Sequence, residues 1–217
     1  MCLKQPDDPT GENMWKGPWW SVGLNTRPSC SRPSDLNMYG PPVDLSFKDI
    51  SNVTGALAEQ PRSGLRPLNT NSKRKYLSRT LRLSNNNITD LVGLQYTLGY
   101  FLAEPSQLGW LDLSFNKLTG IDPVLCELRE LRVLYLHSNG IWNLSEVDKL
   151  GELQYLHTIT LHGNAIENSK GYRKHVISAL PQLRTMDFSA VTRDDRVLAN
   201  VWRHHTNRGR NTKESLQ

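Results

Sequence analysis

Between residues 108 and 118, leucines stand at the first, fourth, sixth and eleventh places (Leu108, Leu111, Leu113, Leu118), and Asn116 takes the ninth. In a short strand side chains alternate faces, so Leu111 and Leu113 point one way and Trp110 and Asp112 the other. Leu108 and Leu118 turn inward as the chain enters and leaves that strand. Asn116 falls at the bend, where its amide satisfies backbone groups left without partners. The pattern recurs in full over 131–141 and 156–166. Over 81–88 an upstream copy lacks only the first leucine, where Ser78 stands. A downstream copy keeps Leu183, Met186 and Phe188 at apolar places, with Val191 instead of asparagine.

Successive starts give 131 − 108 = 23, 156 − 131 = 25 and 183 − 156 = 27, and the first interval, measured at the fourth place, gives 111 − 81 = 30. This motif at a spacing of 20–29 residues is the signature of a leucine-rich repeat. The predicted fold is α/β: a leucine-rich repeat solenoid, a short right-handed horseshoe with a parallel concave sheet and helices and irregular turns on its convex side. Each repeat buries its leucines only against its neighbours, so both ends need atypical covers. We therefore divide the chain into a Trp/Pro-containing leader (1–40) without period and expected to be disordered, an N-terminal capping segment (41–76), about five repeats (77–191), and a capping helix with a basic tail (192–217).

In the first cap, Phe47, Ile50, Val53 and Leu57 follow helical steps that Pro61 would stop. Leu91, Leu94, Leu98, Phe101 and Leu102 predict a convex helix ending before Pro105, and Tyr172, Val176, Ile177 and Leu180 predict another, stopped by Pro181. Thr192 and Asp195 form a capping-box pattern for a last helix expected to bury Val197, Leu198, Val201 and Trp202. Asp194 and Asp195 at its start and Arg203, His204 and His205 at its end suit the helix dipole. From Thr206 the tail is polar, basic and expected to be mobile.

Composition narrows the function. Of 217 residues 37% are apolar, and the formal charge of +5 favours acidic partners. Cys2, Cys30 and Cys126 form no spaced framework, so neither a disulfide scaffold nor a zinc site is expected. No apolar run approaches 18 residues, and Pro6, Pro9, Pro18 and Pro28 break any continuous apolar core in the first thirty, so neither a membrane span nor a secretory signal is read. The expected setting is the reducing cytoplasm. Three N-x-[ST] matches, at Asn52, Asn87 and Asn143, are taken as chance.

No phosphate-cradling loop, nucleophile elbow or metalloprotease helix is found, and no enzyme, cofactor or small-molecule substrate is expected. His137 and His162 follow the sixth-place leucines and should stack on one edge of the concave sheet, but two ligands do not make a metal site. Asp112 and Asp187 share the fifth place about 14 Å apart, three strand spacings, too far to act as a pair. The outward places predict a partner-binding patch of Arg82, Trp110, Asp112, Tyr135, His137, Thr160 and His162. Trp, Tyr and Arg are the residues that most often anchor interfaces. Phe115 is read as packing. Lys73-Arg74-Lys75 is read as a solvated basic loop.

Tyr172-Arg173, Pro181-x-Leu183 and Met186-Asp187-Phe188 resemble the closing cap of intracellular leucine-rich repeat proteins of the phosphatase-regulator type. Residues 41–202 resemble small vertebrate cytoplasmic members of that group in 61–68, 111–116, 121–125 and 170–173. The resemblance implies a non-enzymatic interaction protein, with the cilium or flagellum as its expected setting. Beside it, the basic tail (Arg203, Arg208, Arg210, Lys213) would suit an acidic surface such as that of tubulin or axonemal proteins. The alternatives are an RNA-associated nuclear adaptor, with the same tail and Lys73-Arg74-Lys75 gripping phosphates, and, by analogy of the cap alone, a phosphatase regulator.

Overall fold

The computed structural model describes residues 39–214, with side chains as far as residue 205. Trp15, Trp19 and Trp20 of the leader lie outside the described residues. Each copy of the motif forms one short strand: β1 (Val43–Asp44), β2 (Thr80–Arg82), β3 (Trp110–Asp112), β4 (Val133–Tyr135), β5 (Thr158–Thr160) and β6 (Thr185–Met186). They lie side by side in chain order and run parallel; β7 (Ser189–Ala190) closes the sheet antiparallel to β6. The register puts Leu81, Leu111, Leu134, Ile159 and Met186 in one row, all fully buried. Leu83, Leu113, Leu136 and Leu161 form a second buried row, so the alternation read from the sequence is the core of the molecule.

The asparagines hold the coils together. Asn116 donates to the Leu83, Leu113 and Ser114 carbonyls (2.9, 3.1 and 3.1 Å) and accepts from the Ile88 N–H of the preceding coil at 3.0 Å. Asn139 and Asn164 make the same kind of bridge to Leu118 and Ile141. The residue before each asparagine sits in the left-handed region: Asn85, Phe115, Ser138 and Gly163 have φ of 56°, 53°, 55° and 70°. At Gly163 a Cβ would lie 2.9 Å from Ser138 Oγ, so this rung needs glycine for space as well as for φ.

On the convex side α1 (Leu94–Phe101) and α2 (Tyr172–Ala179) stand where the apolar stripes place them, joined by short 3-10 turns. Leu91, Leu94, Leu98, Phe101 and Leu102 are buried under α1, and Val176, Ile177 and Leu180 under α2. Proline and a side-chain cap start the turn at Pro123–Glu127, where Asp122 accepts from the Val124 N–H at 2.9 Å.

The N-terminal segment differs from the reading above. Phe47, Ile50, Val53 and Leu57 do not share a helix. Val43-Asp44-Leu45-Ser46-Phe47 is a sixth coil, paired with β2 through Val43 and Leu81. Phe47 takes φ 57° and is 54% exposed, as befits a residue at the strand exit, and only the 3-10 turn Val53–Ala58 follows. Lys48 occupies the asparagine's place, and Asn86 of the next coil reaches back to the Lys48 and Ile50 N–H groups at 2.9 and 3.2 Å, as Asn116 does to Ile88. Ser78, standing where a leucine is expected, is buried and bonds the Pro41 carbonyl at 2.7 Å, leaving Leu77 exposed.

The C-terminal end also departs from the pattern. Phe188 does not enter the core. Asp187 and Phe188, at φ 49° and 59°, make the two-residue turn between β6 and β7, and the Phe188 ring emerges on the concave side, 45% exposed. Asp187 Oδ1 accepts from the Leu161 and His162 N–H groups (2.7 and 3.0 Å), standing in for the strand carbonyl that the turn removes.

The capping box forms: Thr192 and Asp195 exchange hydrogen bonds of 3.0 and 3.1 Å at the start of α3 (Arg193–Glu214). Its buried face is not the expected one. Arg173 grips Asp195 with two nitrogens (3.2 and 2.9 Å), and Trp202 packs edge-on to His175 at 5.6 Å. These contacts turn Ala199 inward and leave Val197, Leu198 and Val201 about half exposed. The helix runs on to Glu214, past Thr206 where a mobile tail is predicted; no proline interrupts it.

Candidate functional site

Strand register assembles the concave surface. Thr80, Trp110, Val133, Thr158 and Thr185 form one outward row, and Arg82, Asp112, Tyr135 and Thr160 the next. Trp110 and Tyr135, diagonal on adjacent strands, meet edge to face with centroids 5.7 Å apart. His137 and His162 stack at 4.7 Å with planes 8° apart. Phe188, read from the sequence as core, joins this group: its ring lies 5.6, 5.7 and 5.6 Å from Tyr135, His137 and His162. Phe115 packs against His137 at 5.2 Å. The result is a continuous aromatic strip across three coils and the terminal hairpin.

The other predicted site residues support this strip from within. Asp112 is 5% exposed, with Oδ1 tied to the Ser114 N–H and hydroxyl (3.1 and 2.6 Å) and Oδ2 3.4 Å from Arg82. Arg82 also reaches Asp44 at 3.2 Å, so its charge is shared between two carboxylates. Asp44 repeats the Asp112 arrangement with Ser46. Thr160 is fully buried and bonds His137 Nδ1 at 2.7 Å. The residues a partner can touch are therefore Trp110, Tyr135, His162 and Phe188, with Arg82 at one side. The Trp110 indole N–H is buried with no hydrogen-bond acceptor among the described residues. Arg203 lies on α3; Arg208, Arg210 and Lys213 lie on the same helix but outside the residues whose side chains are described.

Burial, reinforced by the Asp112 charge, pushes the Tyr135 phenol up to about 12, so it remains a neutral donor. Tyr172 donates to Asp187 Oδ2 at 2.8 Å, and burial with that carboxylate beside it drives its pKa far above the usual phenol range. Burial, then His162, pushes His137 down to about 4 from an ordinary 6.5. Among the described residues no three His, Cys, Asp or Glu are placed to hold a metal ion, and stacked imidazoles direct their lone pairs in parallel rather than toward one point.

The His137 shift has a testable sign. Below pH 6.5 the unfolded chain binds a proton at this position that the folded chain refuses until about pH 4. Stability is therefore fully retained above 6.5 and falls as the pH drops through that window. By pH 5 the loss should reach about 1–2 kcal/mol. Denaturation midpoints at pH 7 and pH 5 check this: His137→Gln, which keeps a bond to Thr160 but does not titrate, should flatten the difference.

Comparison with known proteins places the chain in a family. The leucine-rich repeat family model matches residues 76–216. Leucine-rich repeat-containing protein 51 of Mus musculus is 49% identical over 169 residues, covering 78% of this chain and 88% of the mouse protein. U2 small nuclear ribonucleoprotein A' of Arabidopsis thaliana is 34% identical over 121 residues, 55% of this chain and 45% of that protein. The crystal structure of the Drosophila melanogaster SNF/U2A' complex contains a chain with the same fold, with a TM-score of 0.56 at 23% identity over 80% of this chain and 87% of that one. No described helix is long and apolar enough to cross a membrane. By its repeats, its asparagine bridges and its identity to the mouse protein over most of both chains, this chain belongs to the leucine-rich repeat family, among the relatives of leucine-rich repeat-containing protein 51.

Proposed function

We propose that this chain is a non-enzymatic adaptor that docks a protein partner on its concave face, through Trp110, Tyr135, His162 and Phe188, in the cytoplasm at the axoneme of cilia or flagella. The observation that carries the docking reading is the aromatic strip, in which adjacent rings from different coils stand about 5–6 Å apart without closing into the core. Rigid aromatics of this kind supply most of the energy of protein interfaces. The axonemal setting rests on the sequence resemblance, and the basic α3 suits an acidic surface such as tubulin's.

The test is proximity labelling in a ciliated cell with wild type and Trp110→Ala. Axonemal proteins should dominate the wild-type set, and their labelling should fall about tenfold or more in the variant, as for loss of a hot-spot aromatic. Unchanged labelling by Trp110→Ala would end the concave-face reading.

A second reading, an RNA-associated nuclear adaptor, is supported by the similarity to the Arabidopsis U2 small nuclear ribonucleoprotein A'. Enrichment of spliceosomal rather than axonemal proteins in the same experiment would put it first. Phosphatase regulation rests on the analogy of the cap alone.

A further inference from the structure

A cleft of about 1010 Å³ lies between α1, the turn at 73–76 and the chain at 59–61. It shares no residue with the concave strip. Lys73, Arg74 and Lys75 line one wall and Tyr96 and Tyr100 the other. The cationic wall is prebuilt. Asn71 Oδ1 accepts from the Lys73 and Lys75 N–H groups (2.9 and 3.0 Å), and Arg74 takes φ 59° with its N–H on the Asn71 carbonyl at 2.9 Å. The stem of this turn is fastened to the end of α1 by Tyr76, whose N–H donates to the Phe101 carbonyl at 2.7 Å. Lys75 Nζ bonds the Gly99 carbonyl, while Lys73 and Arg74 remain exposed.

Opposite them, Tyr96 and Tyr100 are one helical turn apart on α1, 67% and 53% exposed, and Phe101 braces the Tyr100 ring edge-on at 5.0 Å. Glu59, the carboxylate in the lining, is paired with Lys48 at 3.2 Å. Two flat exposed rings facing a basic turn match the combination that single-stranded nucleic acids require: cations for phosphates and aromatic platforms for bases. A run of Asp and Glu would use the cations but bring no aromatic faces for the tyrosines.

We propose that this cleft binds single-stranded RNA, independently of the concave protein-binding surface. The probe is a fluorescent ten-nucleotide oligouridylate, titrated by anisotropy with the full chain at 50 mM and higher salt. Loss of each stacking ring costs about fivefold or more, so Tyr96→Ala/Tyr100→Ala should weaken binding roughly 25-fold, while Tyr96→Phe/Tyr100→Phe, which keeps the rings, should bind as wild type. Lys73→Glu/Arg74→Glu should reduce the slope of log K against log salt by about 1.4, two phosphate contacts on a single strand.

Gly99→Leu guards against unfolding as the cause. A Cβ at Gly99 meets nothing within 4 Å, and leucine improves helix propensity there, so this variant should fold at least as well and bind less by obstructing the cleft. Trp110→Ala should leave oligouridylate binding unchanged. Absence of binding at 50 mM salt, Tyr96→Ala/Tyr100→Ala or Gly99→Leu binding as wild type, or polyglutamate competing as well as the oligonucleotide would each overturn the proposal.

Discussion

Asn116→Ala is expected to lower the unfolding free energy by about 3–4 kcal/mol, more than any surface change on this molecule. The side chain is 8% exposed and makes four hydrogen bonds to two coils. Alanine removes all four and strands the Ile88 N–H where water has little access, while the Leu83, Leu113 and Ser114 carbonyls each keep one donor, from Asn86, Asn139 and the Asn85 N–H. An orphaned buried group costs about 1–3 kcal/mol and each lost bond to a carbonyl about 0.5–1.5 kcal/mol. Asn116→Asp should fare no better, because the lost amide donor is replaced by a charge aimed at three carbonyl oxygens. Asn139→Ala, whose side chain is less deeply buried, should cost about 1 kcal/mol less. Urea unfolding with an unchanged m-value is the measurement; a cost below about 1 kcal/mol for Asn116→Ala would mean that the leucine rows alone hold the coils in register.

Arg173→Ala should detach the C-terminal cap while sparing the strands. Arg173 binds Asp195 with two nitrogens and reaches the Ser189 hydroxyl and Ala190 carbonyl at 3.0 and 3.1 Å, so one side chain ties α2, β7 and α3 together. Hydrogen bonds to charged groups contribute about 1.5–3 kcal/mol, and partial exposure puts the expected loss near 2–3 kcal/mol. Amide exchange should show it as faster opening over residues 193–205 with little change in β2 to β5. The Arg173 guanidinium and the Thr192 N–H hold the Asp195 carboxyl far below its ordinary 3.8. The stability this pairing contributes is therefore present above pH 4 and lost only in stronger acid, so the variant should be as damaged at pH 5 as at pH 7. That separates it from the His137 effect, which acts between pH 6.5 and 4.

The coils, both convex helices and the capping box were legible because each depends on local spacing alone. The first coil was hidden although Val43-Asp44-Leu45-Ser46-Phe47 nearly copies Leu111-Asp112-Leu113-Ser114-Phe115. Its interval of 81 − 43 = 38 residues exceeds the usual repeat, and Lys48 stands where the other coils carry their asparagine. Phe188 was misread because nothing in Asp187-Phe188 advertises a turn with two positive φ values; glycine or asparagine there would have shown it. The helical phase of α3 was beyond local reading, since Val197, Leu198 and Val201 are as apolar as the face that docks. A long-range ion pair between Arg173 and Asp195 selects the other one. In the site, register alone brought Trp110, Tyr135, His137 and His162 together, but which of them a partner can reach depends on burial between coils.

The reversed strand β7 also fixes how many coils the molecule can have. A further coil, or a second molecule stacked in the same sense, would have to extend the row in the direction of β6, and there it meets a backbone of opposite polarity whose Ala190 carbonyl Arg173 already occupies. Copies of this chain therefore have no head-to-tail continuation at that end. An attempt to lengthen the array by grafting modules after Met186 would first have to delete the hairpin that makes it finite.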